Sequence, residues 1–286
     1  MLILCRLSFW LLVFCLAALP CRSSNPLNAL SADDSLRIRN FVIRSYIQVL
    51  DSKPSKDEAI EICRKFSLFD SFEVKKISLI DTLLNNKIFI RKITDRWRFE
   101  YLQGLDVEQM RLDESSYNML LTIKTQEVFY DFFKRTRDGI AKVLDAENDL
   151  NAGNLDFRAA EKRFFDCKFY DDINMGSHNT VTSAFNYLFF RGPTKYELEE
   201  AKKMIEGEPG ILFGHLGNSK SDFWDIMFSS DAYVEGTVRY WYNKILRREP
   251  RPDEIFYYLT QSGKFDIKEL IRAMLVSKDF APRILR

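Results

Sequence analysis

One feature constrains this chain more than any other: a proline with a glutamate four residues behind it, set three times in the same surroundings. Pro54, Pro193 and Pro250 are followed by Glu58, Glu197 and Glu254. Each proline is preceded at minus eight by an aromatic residue (Tyr46, Phe185, Tyr242). Apolar pairs stand at minus five and minus four: Val49-Leu50, Leu188-Phe189 and Ile245-Leu246. Downstream, each copy closes on a second matched set. Its members are Leu79/Phe223/Leu270, Ile80/Trp224/Ile271, Leu83/Met227/Met274, Leu84/Phe228/Leu275, Asn86/Ser230/Ser277 and Phe89/Tyr233/Phe280. Matches at fixed offsets mark an internal repeat, whose units bury their apolar faces against one another.

The residue types say what the unit is. A helix runs through the aromatic to the apolar pair, and the proline, which cannot continue a helix, stops it. Ser55 with Glu58, and Thr194 with Glu197, have the spacing of capping boxes, in which a hydroxyl takes an orphan N–H and the glutamate reaches back to the cap. In the last unit Arg251 takes the cap position and Pro252 falls in the first turn, where proline is tolerated. Proline and glutamate therefore punctuate a helix–turn–helix, and Glu58, Glu197 and Glu254 are read as caps.

Apolar residues recur at spacings of three and four nearly throughout, as in Leu36–Leu50, and strict alternation is nowhere sustained. The expected class is all-α: three clear helical repeat units and a degenerate fourth, in an elongated or two-bodied molecule. The units are placed at about 40–90, 178–234 and 236–282. The degenerate copy is placed at 126–171, with Phe129 and Phe132-Phe133 opening it, Arg137 in place of the proline and Phe164–Tyr170 closing it. Residues 91–125 are then an inserted helical stretch. A break near 174–180 divides an N-terminal helical domain, 22–174, from a C-terminal one, 175–286.

Residues 1–21 read as a signal peptide. Leu7–Leu19 is an apolar run behind Arg6, too short to span a bilayer as a helix and of the length of an export signal. Cleavage near Cys21–Ser24 and lipidation of Cys21 are both open, and membrane anchoring depends on the second. Removal of 1–21 leaves 41 basic and 41 acidic residues, from 42 and 41 in the whole chain less Arg6. That neutral total gives no electrostatic reason to bind nucleic acid. Cys63 and Cys167 remain, as a disulfide in an oxidising compartment or as two thiols.

Catalytic and metal chemistry finds few candidates. The chain has two histidines, His178 and His215, and neither has a partner at ligand spacing. Ser219 and Ser221 near His215 lack a nucleophile elbow. The glycine-rich loop 206–218 lacks the lysine and serine of a phosphate-binding loop. Glu199-Glu200 and Asp171-Asp172 sit in mixed charged runs and read as solvated faces. Arg91–Arg98 reads as the wet face of a helix. No cofactor and no metal are expected. Tyr240-Trp241-Tyr242 differs, because three consecutive aromatics cannot face one core from one helix. Tyr240, Trp241, Arg247 and Arg248 are therefore partner-contact candidates, of the types that anchor protein interfaces.

The stretch Tyr242–Glu254, closing on Leu270–Phe280, resembles exported bacterial modules of the pattern YxxLLGRxPxxxE … LLxSxxF, and is reminiscent of the helical linker domains of light-harvesting antennae. Two departures stand out: Asp51-Ser52-Lys53 replaces the Gly-Arg turn in unit one, and Arg191-Gly192 reverses it in unit three. The stretch Arg191–Ala201, in a signal-bearing chain rich in lysine and phenylalanine, is similar to the flagellar-coiling (sheath) proteins of spirochaetes. That resemblance implies a non-enzymatic periplasmic structural or interaction protein, a coat or sheath component of a periplasmic flagellar filament that affects motility. Its partners would be proteins of the filament or envelope. The alternative is an exported enzyme or envelope lipoprotein using the 206–218 loop.

Overall fold

A computed structural model describes residues 32–67, 72–123 and 128–280. The signal segment, its cleavage site and Cys21 lie outside the described residues. Among the described residues fourteen α-helices follow one another: α1 Ala32–Leu50, α2 Lys56–Ser67, α3 Phe72–Leu84, α4 Lys87–Tyr101, α5 Val107–Leu121, α6 Tyr130–Ala152, α7 Phe157–Phe165, α8 Lys168–Ile173, α9 Ser177–Phe189, α10 Lys195–Ile205, α11 Lys220–Ser229, α12 Asp231–Trp241, α13 Pro252–Leu259 and α14 Ile267–Val276. A π-helical turn, Tyr242–Leu246, prolongs α12, and a 3₁₀ turn, Ser262–Lys264, precedes α14. The fold is all-α.

The helix ahead of each of the three prolines ends in the same way. Asp51, Phe190 and Arg247, each three residues before its proline, adopt a left-handed backbone with φ of 51°, 55° and 54°. A left-handed residue turns the chain off a helix end, and in a side-chain-bearing residue it costs about 1–2 kcal/mol. The Gly-Arg order of unit three is therefore not reversed. Phe190 holds the left-handed place, Arg191 keeps the arginine's place, and Gly192 is an ordinary position.

A fourth left-handed residue corrects the degenerate unit. Gln103, φ 52°, follows the buried pair Tyr101-Leu102 at the end of α4, as Asp51 follows Val49-Leu50. The opening helix of unit two is thus α4. Phe129 and Phe132 stay 55% and 53% exposed and open no unit, so α5 and α6 form the insertion. The closing set keeps the expected register and is completed upstream by Ala160 and Glu161: Ala160, Glu161, Phe164, Phe165, Cys167 and Tyr170 are all buried. The Cys167 thiol donates to the Phe164 carbonyl (3.4 Å), as Ser230 does to Met227 (2.7 Å) and Ser277 to Met274 (2.6 Å). Unit one is then α1–α3, unit two α4–α7, unit three α8–α11 and unit four α12–α14. Asn86, Cys167 and Ser230 each stand as N-cap of the helix that starts the next unit.

The 206–218 loop is not loop throughout. β1, Gly210–Leu212, and β2, His215–Gly217, pair antiparallel with Ile211 opposite Leu216. Phe213 and Gly214, both at positive φ, make the two-residue turn. A Cβ on Gly210 would lie 2.4 Å from the Glu200 carbonyl, and one on Gly217 would lie 2.8 Å from Asp222 Cβ. These two glycines let the hairpin lie against α10 and α11.

Buried residues from all four units form one apolar cluster, which runs across the turn at 174–176 where two domains were expected to divide. Unit four reaches back to unit one. Phe280 packs edge-on against Phe41 (6.1 Å between centroids), the Arg44 side chain donates to the Phe280 carbonyl (3.3 Å), and Arg272 pairs with Asp81 (2.5 Å).

Candidate functional site

The repeated carboxylates hold the turns. Thr194 Oγ1 accepts from the Glu197 N–H (3.3 Å) and Glu197 accepts from the Thr194 N–H (2.7 Å), completing a capping box. Arg191 then grips the same carboxylate with both terminal nitrogens (2.6 and 2.8 Å) while its guanidinium lies over Phe185, the minus-eight aromatic. Unit four repeats this. Arg248 donates twice to Glu254 (2.7 and 2.8 Å), lies over Tyr242 at 5.1 Å, and Glu254 accepts from the Arg251 N–H (2.7 Å). The Arg251 side chain, all donors, cannot accept a bond as a cap does. Unit one has Ser52 where the arginine would be, and the aromatic itself steps in: Tyr46 donates its hydroxyl to Glu58 (2.8 Å). Pro54, Pro193 and Pro250 precede these caps. Arg191 holds the Glu197 carboxyl down at about 2, helped by the Thr194 amide and hydroxyl and opposed by burial.

The partner-contact candidates separate. Trp241 is 3% exposed and packs inward, and Tyr242, which opens the π turn, is buried as well. Arg248 is engaged by Glu254 and by Asp279 (2.5 Å). Neither offers an open contact. Tyr240 is half-buried, stacked on Phe190 (6.0 Å, 15°) with Arg96 over its ring at 4.5 Å. Arg247 alone of the four is exposed.

A buried polar cluster lies where units two, three and four meet. Glu161, on α7, occupies the position that is Ile80, Trp224 and Ile271 in the other units, and it is 5% exposed. It accepts from the Tyr101 hydroxyl (2.5 Å) and from the Tyr233 hydroxyl (2.7 Å). Burial raises its carboxyl pKa, against the pull of Arg96 and the two tyrosines. Both phenols are also held well above their ordinary range, first by burial and then by the carboxylate charge. Beside them is a cavity of about 140 Å³ walled by Arg96, Tyr101, Glu161, Phe190, Tyr240 and Trp241. The signal for Glu161 in the sequence was a charge at an apolar position of the closing set, three residues ahead of Phe164-Phe165.

A third feature is the α5–α6 hairpin. Met110 is the single buried residue of α5, and burial on α6 begins only at Ile140. Leu112 and Met119 (each 62% exposed), Val128 (91%), Phe129 and Phe132 leave an apolar end turned to solvent. Single exposed apolar residues are ordinary, whereas contiguous apolar patches are what interaction surfaces use. Cys63 and Cys167 carry free thiols, and burial pushes Cys167 up to about 12. Compared with models of protein families, with curated proteins and with solved structures, the chain matches none.

Proposed function

We propose that this chain is a non-enzymatic, extracytoplasmic structural protein whose helical units carry a partner-binding arm, the α5–α6 hairpin. The observation that carries the reading is the apolar end of that hairpin, outside the repeat and packed by nothing among the described residues beyond its own two helices' rings, such as Tyr117–Phe133 at 6.0 Å. Repeat proteins bind through what their stacked units hold out to solvent. The compartment rests on the signal-like segment of 1–21, and neutral net charge removes a bar to dense packing between molecules.

The narrower form of the proposal is a coat component of a periplasmic flagellar filament, supported by the resemblance around Arg191–Ala201. Deleting the gene and imaging the cell tests it: altered filament shape, motility or envelope architecture is expected. Unchanged filaments and motility would overturn the coat. An unaltered set of proteins co-purifying with the envelope would overturn the structural reading as a whole.

A further inference from the structure

A groove of about 970 Å³ lies between the end of α9 and the end of α12. Its aromatic wall is Phe190, 55% exposed and stacked on Tyr240. Phe190 is also the left-handed residue that ends α9, with φ 55°. A bulky side chain is uncommon in that backbone, which glycine takes without strain. Here the ring stays more than half in solvent, so little burial offsets the strain. A strained residue that keeps an apolar ring exposed points to a contact outside the chain.

The groove carries more positive than negative charge. Among the described residues four cations line it, Arg191, Arg239, Lys244 and Arg247, against two carboxylates, Glu235 and Glu249. Arg239 pairs with both carboxylates (2.7 and 3.0 Å), and Arg191 pairs with Glu197 (2.6 Å). Lys244 and Arg247 stand outside these pairs, and neither forms another among the described residues. Arg247 is exposed, and Lys244 Nζ rests 5.1 Å from the Trp241 ring. Burial and then the Arg96 charge lower the Lys244 pKa, opposed by Asp51 and Glu100. A carboxylate brought beside Lys244 would relieve that crowding of like charge.

We infer that this groove binds an acidic peptide segment of a partner protein, its carboxylates on Lys244 and Arg247 and an apolar side chain against Phe190. The exposed ring asks for an apolar group beside the charge, which an inorganic anion lacks. Glu235 and Glu249 disfavour a densely charged polyanion. A volume of about 970 Å³ takes several side chains rather than one ion. The groove belongs to α9 and α12, apart from the α5–α6 arm, so it stands independently of the arm's role.

Fluorescence anisotropy of a labelled Glu-Leu-Glu-Phe-Glu peptide titrated with the full chain tests this. A Gln-Leu-Gln-Phe-Gln peptide and inorganic polyphosphate serve as the comparisons. Saturable binding of the acidic peptide is expected, tighter than about 1 mM and about tenfold or more tighter than the glutamine peptide. Arg247→Gln should weaken it about two- to fivefold. Phe190→Gly should weaken it about threefold or more while the melting temperature holds or rises, a split that a purely structural residue would not give. Circular dichroism checks both folds; if Phe190→Gly does not fold, Arg247→Gln, a change at an exposed position, decides. No saturation by about 1 mM, equal binding of the glutamine peptide, displacement by polyphosphate at lower concentration than by unlabelled peptide, or unchanged affinity in a folded variant would overturn the groove.

Discussion

At the scale of the residue, the glutamates of the turns act through geometry. Thr194→Ala removes a cap and is expected to lower the unfolding free energy by about 1 kcal/mol in urea titrations, leaving α10 in place. The pH dependence has a definite sign. The Glu197 carboxyl is depressed to about 2 in the folded state, so its contribution is complete above the ordinary carboxylate value and is lost as pH falls toward 2. Glu161 is raised, so its contribution has the opposite sense: complete at low pH, and lost as pH rises through the folded value. Unfolding curves of Glu197→Gln should show less acid destabilisation than the parent below about pH 4. An equal acid slope in that variant would contradict the role given to Arg191. At Asp51, glycine should relieve the left-handed backbone, and Asp51→Gly is expected to raise stability by about 0.5–1 kcal/mol.

At the scale of the element, close approaches decide the packing. A Cβ on Gly236 would stand 2.1 Å from the Leu188 carbonyl, so α12 crosses α9 backbone to backbone. Gly236→Ala forces the two helices apart, and a loss of about 1–3 kcal/mol or more is expected from thermal or urea unfolding. Nothing in the sequence marks that glycine, because the neighbour it admits lies on another unit. The three proline-marked turns were legible, since their cap residues are local and read at fixed offsets. Unit two was legible only in part. It lacks the proline, its second helix is replaced by α5–α6, and Gln103 gives no hint of a left-handed backbone. The apolar Phe129–Phe133 run imitated an opening helix because a solvent-facing apolar run and a core face have the same composition. The 206–218 glycines suggested a ligand loop for a related reason, as a close backbone approach asks for glycine whether a phosphate or a helix arrives.

At the scale of the whole molecule, the four units close on themselves through Phe280 and Arg272, and one core serves them all. Phe280→Ala is expected to cost about 3–5 kcal/mol and to shift a single cooperative transition rather than free one unit. The arm stands outside this closure, so its surface can change without a change in stability. The most direct measurement of the central claim uses that separation. Met119→Asp, Phe129→Asp and Phe132→Asp are introduced together, and the native cell is fractionated. The account predicts that the parent chain sediments in fixed ratio with an envelope or filament assembly, whereas the variant, with an unchanged melting temperature, is released to the soluble periplasmic fraction. A variant that stays with the assembly in the parent's ratio, or a parent chain recovered only as a free protein, would contradict it.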